Sequence, residues 1–387
     1  MDTTTDARAF WLALWLVPGV GIATYRRLVE RFGSPERVLR ARESELRDVG
    51  GVEPRVAESV ARFPWRRAVS QELRRLDRLG ADVLTLEDPR YPSLLKAIPD
   101  PPPVLYVKGT LAASDRAAVA VVGSRRPGHY GLCMAERLSR ELARVGVTVV
   151  SGLARGIDAK AHRAALDAGG RTLAVLGCGL DVAYPPEHAG LMEAVARSGA
   201  VVTEFPLGTP PEPRHFPRRN RLISGLSLGT VVVEAARGSG SLITAHLALE
   251  QGREVFAVPG NVTSGKSAGA HALIKQGAKL VEQAEDILEE ILPQLAERVR
   301  MSQARETGEQ TFLALSPEEE TLRQALSHDP VHIDALIAAT GLPASRVSSL
   351  LMGLELKGAV KQLPGMQFVL APRWQSAASA RDLGCGG

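Results

Sequence analysis

The sequence predicts an α/β protein: a doubly wound, Rossmann-like, mostly parallel sheet with an N-terminal helical module and a C-terminal winged-helix module. Beyond about residue 117, short apolar runs alternate with helical segments, as in a parallel sheet covered by helices. Two glycine turns that each lead into a helix precede that region, and three helices with a hairpin follow it. At 387 residues the chain is long enough for two or three hydrophobic cores.

Seven apolar runs are predicted as strands of this sheet. They are Ala118–Val122, Thr148–Val150, Thr172–Leu176, Val201–Glu204, Gly229–Glu234, Glu254–Val258 and Lys279–Val281. Helices such as Gly131–Val145 and Ala159–Ala168 fit between most of them. Because helical crossovers join parallel strands, this order predicts one sheet with helices on both faces, in a domain of residues 81–292.

The N-terminal module, residues 1–80, has the pattern of a helix-hairpin-helix or SAM-like domain. Its glycine turns are Val17–Gly21 and Val49–Val52, and each leads into a helical segment. The amides of such a turn and of the following helix can hold a phosphate. Helix packing or contact with a protein is the alternative. The proline-rich segment Pro89–Pro103 is predicted as an ordered connector.

The C-terminal region begins with a polar segment, residues 293–316, that is predicted as a linker. Residues 317–373 have the winged-helix pattern. Its helices are predicted at 317–327, 333–340 and 344–357, and its hairpin strands at 360–362 and 367–370. The third helix of such a module often enters a DNA groove, but here it offers only Arg346 and Lys357 as basic residues. Protein contact therefore fits as well as groove reading. Residues 374–387 are predicted as a flexible tail.

Charge and cysteine content narrow the class of protein. The net charge is +4, and 39 of the 47 basic residues are arginine. Arginine forms bidentate contacts with phosphates and stacks on bases, which suits a nucleic-acid partner; genomic base composition explains the same bias equally well. The chain has no apolar run long enough to span a membrane, no secretory-signal pattern, and no metal-ligand spacing among its three cysteines. We expect a cytoplasmic protein without a metal site.

Loops that follow strands are the candidate ligand site, because ligands of an open parallel sheet bind at the carboxyl ends of its strands. The first such loop is Gly123-Ser124-Arg125-Arg126. Glycine lets the backbone approach an anion, the serine hydroxyl can donate a hydrogen bond, and arginine can bind a phosphate. A tight turn with two solvated arginines is an equally good interpretation.

The loop after the second predicted strand begins at Ser151 and Gly152 and opens a helix that carries Lys160. Unpaired amides in the first turn of a helix can bind phosphate, so these three residues are candidate DNA contacts. Asp158 is predicted as the N-cap of this helix rather than as an acid or base. His162 is predicted as a packed, neutral side chain.

The densest group of basic residues lies in a single eight-residue segment. Its predicted DNA contacts are Arg214, Phe216, Arg218, Arg219, Asn220 and Arg221. Phe216 can stack on a base while the arginines follow the phosphate backbone, a combination typical of sequence-tolerant binding to single strands. Four arginines so close together are not expected to pack in a core, although some can form ion pairs within the protein.

Two later loops also have phosphate-binding features. Ser239-Gly240-Ser241 follows a strand and opens a helix. Gly260–Ser267 fits the Walker A pattern. We interpret that match as accidental, because the loop follows a late strand, Pro259 interrupts the usual geometry, and no strand ending in a Mg²⁺-binding Asp follows.

These loops, in this order, resemble those of the DNA-processing protein A family (DprA, also called Smf). The matching motifs are Gly123-Ser124-Arg125, Ser151–Asp158 with Ala161-His162, Gly177–Asp181 with Tyr184-Pro185, Glu204-Phe205-Pro206, Phe216–Ser227, Gly240–Ala245 and Pro259-Gly260-Asn261. The resemblance covers roughly residues 85–290, and the flanking modules fit it. Two departures are Pro186, where the family often has a basic residue, and the segment Ser264–Ser267.

The resemblance implies a homodimeric mediator that binds single-stranded DNA, protects incoming strands in natural transformation and loads the recombinase RecA. It implies neither catalytic residues nor a cofactor. By the same resemblance, Arg125 and the basic segment through Phe216–Arg221 lie on the DNA face. The helices that carry Leu247, Leu249, Leu273 and Ile274 lie near the dimer contact.

Two other functions fit parts of the sequence. A Rossmann-type nucleotide hydrolase could use Glu234, Arg237 and the loop Gly238–Ser241. Against it, no pair of titratable residues stands out as acid and base, and the Phe/Arg segment suits a long polyanion better than a mononucleotide. A duplex-DNA-binding regulator could act through the winged helix, but that module carries little positive charge.

Overall fold

A nine-stranded sheet forms the centre of the protein in the computed structural model, which describes residues 7–305, 316–327, 329–356 and 359–370. Its strands are β1 (Ala81–Thr85), β2 (Val104–Gly109), β3 (Ala118–Val122), β4 (Thr148–Ser151), β5 (Thr172–Val175), β6 (Ala200–Thr203), β7 (Gly229–Val232), β8 (Glu254–Ala257) and β9 (Lys279–Leu280). They lie in the order β1-β2-β6-β5-β4-β3-β7-β8-β9. The run from β6 to β9 is parallel, and its direction of winding reverses between β3 and β7. The predicted doubly wound α/β fold is confirmed.

Two strands that the sequence did not indicate flank the proline-rich segment. β1 and β2 pair antiparallel, and β2 pairs antiparallel with β6, where Tyr106 lies opposite Thr203. The prolines end at Pro103, one residue before β2 begins, so they remove no hydrogen bond from the ladder. The segment between the strands is ordered by a short helix, α7 (Ser93–Lys96), whose Leu95 is fully buried.

Helices cover both faces of the sheet. They are α8 (His129–Arg144), α9 (Ile157–Asp167), α10 (Ala189–Ser198), α11 (His215–Gly225), α12 (Gly240–Glu250), α13 (Ala268–Lys275) and α14 (Ala284–Arg305). Strand side chains alternate between the faces: Ala120 packs with Leu222 of α11, whereas Val119 packs in the cluster that holds Leu138 of α8. This arrangement leaves the carboxyl edge of the parallel strands uncovered by these two helical layers.

Six helices form the N-terminal module and pack against the flank of the sheet that carries β1. They are α1 (Ala7–Trp15), α2 (Ile22–Phe32), α3 (Pro35–Arg40), α4 (Glu43–Arg47), α5 (Pro54–Arg62) and α6 (Trp65–Leu79). Leu12 and Leu28 are fully buried in an apolar cluster that also contains Tyr106 of β2. The indole N–H of Trp15 donates to the carbonyl oxygen of Glu204 at 2.8 Å. The module is thus joined to the loop that follows β6.

Helix α14 extends into the segment that was predicted as a linker, since its backbone is helical through Arg305. Ile287 and Ile291 pack in the apolar cluster beneath β3 and β7, and the residues that follow are mostly good helix formers. The helix accommodates Pro293 in its interior. The linker prediction for residues 293–305 is therefore wrong. The rest of the predicted linker, Lys357 and the predicted tail at 374–387 lie outside the described residues, apart from residue 316.

The C-terminal module has winged-helix topology, as predicted. It comprises α15 (Pro317–Gln324), β10 (Val331–His332), α16 (Ile333–Thr340), α17 (Ala344–Leu356), β11 (Val360–Leu363) and β12 (Gln367–Leu370), with sheet order β10-β12-β11. Val347 and Leu351 of α17 are buried in its own core. Met352, on another side of α17, belongs to the cluster formed by the sheet domain. Because α17 is apolar on more than one side, it packs both against its own module and against the sheet domain.

Helix length and hydropathy bear on whether the described part of the chain could cross a membrane. No single helix there is long and apolar enough to cross a membrane. One pair bent by 110°, Ile333–Thr340 with Ala344–Glu355, passes by length and composition alone.

Candidate nucleic-acid interface

The carboxyl ends of β3 and β7 form the crevice at which the strand order reverses. The backbone N–H of Ser124 donates to the carbonyl oxygen of Glu234 at 2.7 Å, so the loops that leave these two strands are joined. The Glu234 carboxylate accepts the N–H of Gly128 at 3.0 and 3.1 Å, at the N-cap of α8. Negative charge is favourable at a helix N-terminus. Glu234 therefore anchors the first loop.

The first loop turns two arginines outward. A Cβ on Gly123 would lie 2.7 Å from Cγ1 of Ile157, so only glycine fits this close approach. The Ser124 hydroxyl accepts the N–H of Arg126 at 3.1 Å and closes a local turn. Arg125 and Arg126 are exposed. The loop therefore exposes two guanidinium groups to solvent.

An aromatic cleft lies beside this loop; its walls are Phe216, Tyr184, Gly177, Cys178 and Arg125. The Phe216 and Tyr184 ring centres are 5.6 Å apart. The Arg125 guanidinium carbon lies 5.2 Å from the Phe216 ring centre, within cation–π distance. A Cβ on Gly177 would lie 3.0 Å from Phe216, so glycine lets the ring lie against the backbone. The half-buried rings and the exposed guanidinium place an aromatic surface next to a cation. The enclosed space is only about 30 Å³, so a flat ligand would lie on this surface rather than inside it.

Arg219 supports this cleft from beneath and is itself buried, with 4% of its surface exposed. Its Nη1 donates to the carbonyl oxygens of Gly152, at 2.6 Å, and of Val175. Burial lowers its pKa to about 10, and the Asp158 carboxylate opposes that shift. The guanidinium thus ties α11 to the ends of β4 and β5.

Arg221 and Arg218 are joined to one carboxylate, Glu204, which is fully buried after β6. Arg218 Nε donates to Glu204 Oε1 at 2.8 Å, and Arg221 Nη2 donates to Oε2. Arg221 is also buried, and its Nε lies 3.3 Å from Asp100 Oδ2. Two of the four arginines in the predicted basic segment therefore pack inside the protein, contrary to the expectation from their density. Arg221 is compensated there by the Glu204 carboxylate, whereas Arg219 is held by backbone carbonyl oxygens.

Arg214 is the one arginine of this segment that is exposed, and it forms a 2.6 Å ion pair with Glu212. Asn220 is nearly buried, and its amide donates to the carbonyl oxygen of Gly240 at 3.3 Å. The segment thus combines one exposed base, one half-buried ring and several side chains that hold α11 in place.

The second loop is held by internal hydrogen bonds. The Ser151 hydroxyl is buried and donates to the carbonyl oxygen of Val121 at 2.7 Å. Gly156, rather than Asp158, is the N-cap of α9, so the N-cap prediction is wrong. Asp158 lies within the first turn, where it accepts the N–H of Ala154 at 3.3 Å, and burial raises its pKa. Lys160 is half-buried and pairs with Glu136 at 2.5 Å.

His162 is packed and neutral, as predicted. Its Nδ1 lies 2.7 Å from the Thr172 hydroxyl, which itself donates to the carbonyl oxygen of Val149. The hydroxyl hydrogen is used in that bond, so Nδ1 carries the histidine proton and donates. Burial lowers the pKa of His162 to about 3. In the same region, burial raises the pKa of the Cys178 thiol to about 11, which makes it a poor nucleophile.

The two later loops flank the crevice. The hydroxyls of Ser239 and Ser241 lie 2.8 Å apart, Ser241 is buried, and Gly240 opens α12. In the Walker-like loop, Lys266 is exposed and the Gly260 N–H donates to Nε2 of His271 at 3.2 Å. Among the described residues, no group of three His, Cys, Asp or Glu side chains could hold a metal ion.

The predicted dimer face is partly exposed. Leu249 is 55% exposed, whereas Leu247 and Ile274 are half-buried and Leu273 is buried in the sheet domain. Ile243, one turn or so before Leu247 on α12, is also exposed, at 42%. Sequence reasoning did not select Ile243, although its place in an apolar helix was a signal.

Sequence reasoning also missed part of the aromatic cleft. Tyr184 and Cys178 were quoted as motif residues but not chosen as contacts, yet both line the cleft. The available signal was their position in a loop that follows a strand, which is also the position of the first loop.

These features define a class: a Rossmann-like α/β protein whose switch-point edge carries an aromatic–arginine cleft, with a helical and a winged-helix module attached. The chain belongs to the family described as DNA recombination-mediator protein A, which matches residues 82–292. The DprA winged helix domain matches residues 308–366, and the DprA-like N-terminal HHH domain matches residues 5–59.

Relatives extend the match over most of the chain. Protein Smf of Synechocystis sp. is 36% identical over 390 residues, covering 93% of this chain and 98% of the relative. The X-ray structure of DNA processing protein A from Streptococcus pneumoniae is 36% identical with a TM-score of 0.66, covering 73% of this chain and 97% of that one. A Helicobacter pylori structure, described as showing the single-stranded DNA binding mode of DNA processing protein A, is 30% identical with a TM-score of 0.50, covering 55% and 96%.

Proposed function

We propose that this protein binds single-stranded DNA at the carboxyl edge of its sheet and acts as a mediator of DNA recombination. The aromatic cleft is the observation that carries the proposal. Phe216 is half-exposed beside the exposed guanidinium of Arg125, 5.2 Å from the ring centre. Single-strand binding proteins use this combination: the aromatic ring stacks on a base, and the neighbouring cation binds the phosphate.

The cleft favours a single strand over a duplex. In a duplex, base faces are stacked on one another and are not open to a protein ring. In a single strand they are free, and stacking on an aromatic side chain contributes about 1–3 kcal/mol per base. Membership of a family of DNA recombination mediators supports the same partner, as does the single-stranded DNA binding mode described for the Helicobacter pylori relative.

The predicted site residues divide into two groups. Those that we propose to contact DNA are Gly123, Ser124, Arg125, Arg126, Lys160, Arg214, Phe216, Arg218, Ser239 and Gly240, with Tyr184 added from the structure. Ser151, Gly152, Arg219, Asn220, Arg221 and Ser241 are buried, and we assign them to holding the loops and α11 in position. Their substitution would act on DNA binding through the geometry of the cleft.

We further propose that the protein acts as a homodimer and loads the recombinase RecA onto the bound strand. The exposed apolar side chains of Ile243 and Leu249 on α12 support an interface there. A dimer through α12 would be tested by sedimentation of Leu249→Glu, which should be monomeric at concentrations where the parent is dimeric. A monomeric parent would rule out this interface.

An enzymatic role is the less favoured candidate. Glu234, the acid that a nucleotide hydrolase of this fold would need, has its carboxylate occupied by the Gly128 N–H and is 7% exposed. The pKa of Cys178 lies too high for a thiolate at neutral pH. Release of a free base from nucleotides by the purified protein would nevertheless favour the hydrolase.

The decisive experiment compares single-stranded with duplex DNA by fluorescence anisotropy at two salt concentrations. We expect preference for the single strand, weaker binding at higher salt, and a loss of about 1–3 kcal/mol in Phe216→Leu. Arg125→Ala should weaken binding without affecting folding, since its side chain is exposed. Arg144→Ala is the matched control, because this exposed arginine at the end of α8 lies toward the amino edge of the sheet, away from the cleft. Equal binding to both DNAs, or binding independent of salt, would refute the proposal.

A further inference from the structure

Helix α6 of the N-terminal module presents a basic face that the proposed function does not use. Its sequence contains five arginines and two acidic residues. Val69 and Leu76 are buried against the rest of the module, whereas Arg67, Arg74 and Arg78 are exposed. Positions seven and eleven residues apart fall on the same side of a helix, so these three arginines share one face. The face therefore carries a concentrated positive charge.

An open cavity of about 390 Å³ lies against this face. Its lining includes Arg74, Arg75 and Arg78 of α6 together with Phe63 and Leu16. This composition repeats that of the aromatic cleft, with an aromatic ring beside guanidinium groups. A base can pack on Phe63 and Leu16 while its phosphate meets an arginine.

The charges at this cavity are not all neutralised. Arg75 is paired, since it lies 3.3 Å from Glu72 Oε2 and 2.7 Å from Asp181 Oδ2. Glu72 also accepts the Leu207 N–H at 2.8 Å. Within the described part of the chain, Arg74 and Arg78 have no carboxylate at ion-pair distance, although the exposed Asp77 lies between them in sequence. These two guanidinium groups are available to a ligand.

One loop contacts both the aromatic cleft and a residue that lines this cavity. This loop, residues 177–184, contributes Gly177, Cys178 and Tyr184 to the cleft. Its Asp181 accepts hydrogen bonds from Arg75 and from the Gly208 N–H, each at 2.7 Å. Asp181 thus fastens α6 to the carboxyl edge of the sheet. A strand leaving the cleft over this loop arrives at α6.

We propose that the α6 arginine face, with Arg74 and Arg78 at its centre, is a second binding site for the same single strand, contacted only by strands long enough to extend past the aromatic cleft. The proposal rests on the proposed single-strand function and adds the path of the strand. It assigns the N-terminal module a role through α6 rather than through its two glycine turns.

Salt dependence of affinity tests this site, because each phosphate contact to a single strand contributes about 0.7 to the slope of log K against log salt. The Arg74→Gln/Arg78→Gln double variant should lower that slope by about 1.4 with an oligothymidylate of about 30 nucleotides. With one of about 4 nucleotides, at the low end of single-strand site sizes and too short to reach α6 from the cleft, slope and affinity should match the parent. The control is Arg144→Gln/Arg197→Gln, two exposed arginines at the ends of α8 and α10, with the same loss of charge.

The outcomes are distinguishable from failure of the proposed function. If the parent does not bind the single strand, the function itself is refuted. If Arg125→Ala weakens both oligonucleotides and the α6 variant matches the charge control on both, only the second site is refuted. Equal weakening of the short and long strands by the α6 variant would also refute a separate site. Thermal unfolding of each variant checks that these exposed substitutions leave the fold intact.

Discussion

Arg219 and Gly152 fit each other at the base of the aromatic cleft: Nη1 of the arginine donates to the glycine carbonyl oxygen at 2.6 Å, and a Cβ on the glycine would lie 2.3 Å from that nitrogen. The guanidinium therefore occupies the volume of the side chain that Gly152 lacks. Because Arg219 is buried, it has little room to move aside. The contact links β4 to α11, which carries Phe216.

Gly152→Ala should displace Arg219 and reduce both stability and DNA binding. We expect a loss of about 1–3 kcal/mol in the free energy of unfolding, the usual cost of leaving a buried polar group without its partner. Urea denaturation and single-strand affinity would be measured together. Gly190→Ala is the control, since its added Cβ meets nothing within 4 Å on helix α10 and should cost nothing. A Gly152→Ala protein as stable as the parent would show that Arg219 is dispensable.

Glu204→Gln should destabilise the protein strongly. The carboxylate is fully buried and accepts hydrogen bonds from Arg218 and Arg221, of which Arg221 is also buried. Removing one partner of a buried ion pair leaves an uncompensated charge and costs about 3–5 kcal/mol. The loss should appear as a lower urea midpoint, with weaker DNA binding as α11 shifts.

The matched control for this carboxylate is Glu193→Gln. That residue pairs with Lys108 at 2.6 Å but is 51% exposed, so its neutralisation should change stability by less than about 1 kcal/mol. Similar effects of the two variants would mean that burial of Glu204 does not govern the energetics of α11.

The sequence predicted the seven strands β3 to β9 and the loops that follow them, but neither β1 and β2 nor the orientation of each side chain. Apolar runs such as Ala118–Val122 indicate strands because their pattern is local. Whether an arginine of this segment faces solvent depends on partners elsewhere in the chain. Arg219 is buried because the carbonyl oxygens of Gly152 and Val175 accept its hydrogen bonds, whereas Arg214 is exposed. These pairings arise only when α11 crosses the ends of β4 and β5. Periodicity carries no information about them.

The same limit applies to the N-terminal module. The two glycine turns were visible as sequence patterns, whereas the contact of Arg75 with Asp181 joins residues 106 positions apart. No local signal relates them. Strand β2 was missed for a different reason, since the preceding prolines dominated the composition of a segment whose next residues form the strand.

His162 should make stability depend on pH in the acid range. Its pKa is lowered to about 3 in the folded protein by burial, against an ordinary value of about 6.5. Between these values the unfolded chain binds a proton that the folded protein does not, so stability rises with pH and is lost as pH falls below about 6.5. The contribution reaches about 1.4 kcal/mol per pH unit. Urea midpoints from pH 7.5 to 5 measure it.

The pH dependence of stability in the parent also contains contributions from carboxylates. Comparing the urea midpoints of the parent and His162→Gln across this pH range isolates the contribution of His162. The variant should lose stability at neutral pH, because glutamine fills the site poorly, but should show a shallower decline toward acid. The exposed His129→Gln serves as the control for removing a histidine. Parallel pH profiles for His162→Gln and the parent would contradict a neutral, buried His162.

Met352→Glu should release the winged-helix module from the sheet domain without weakening single-strand binding. Met352 of α17 packs in the cluster that contains Leu142 and Val147, and a Cβ on Gly146 would lie 3.8 Å from Ser349 of the same helix. These contacts lie at the turn that precedes β4, and therefore at the amino edge of the parallel strands. The aromatic cleft lies at the opposite, carboxyl edge. They also cover the helix that would have to enter a DNA groove, and its Arg346 is paired with Glu318. A carboxylate at position 352 would be buried among the apolar side chains of this cluster, so the contact should open.

Hydrogen exchange at 142–147 would report the release, and anisotropy would report DNA affinity. The control is Ser345→Glu, which adds the same charge to an exposed position of α17. Faster exchange at 142–147 in Met352→Glu alone, with single-strand affinity equal to the parent's, is the expected result. If duplex affinity rises as well, the docked module hides a groove-reading helix. Weaker single-strand binding in Met352→Glu would instead show that the module supports the aromatic cleft from the far side of the sheet.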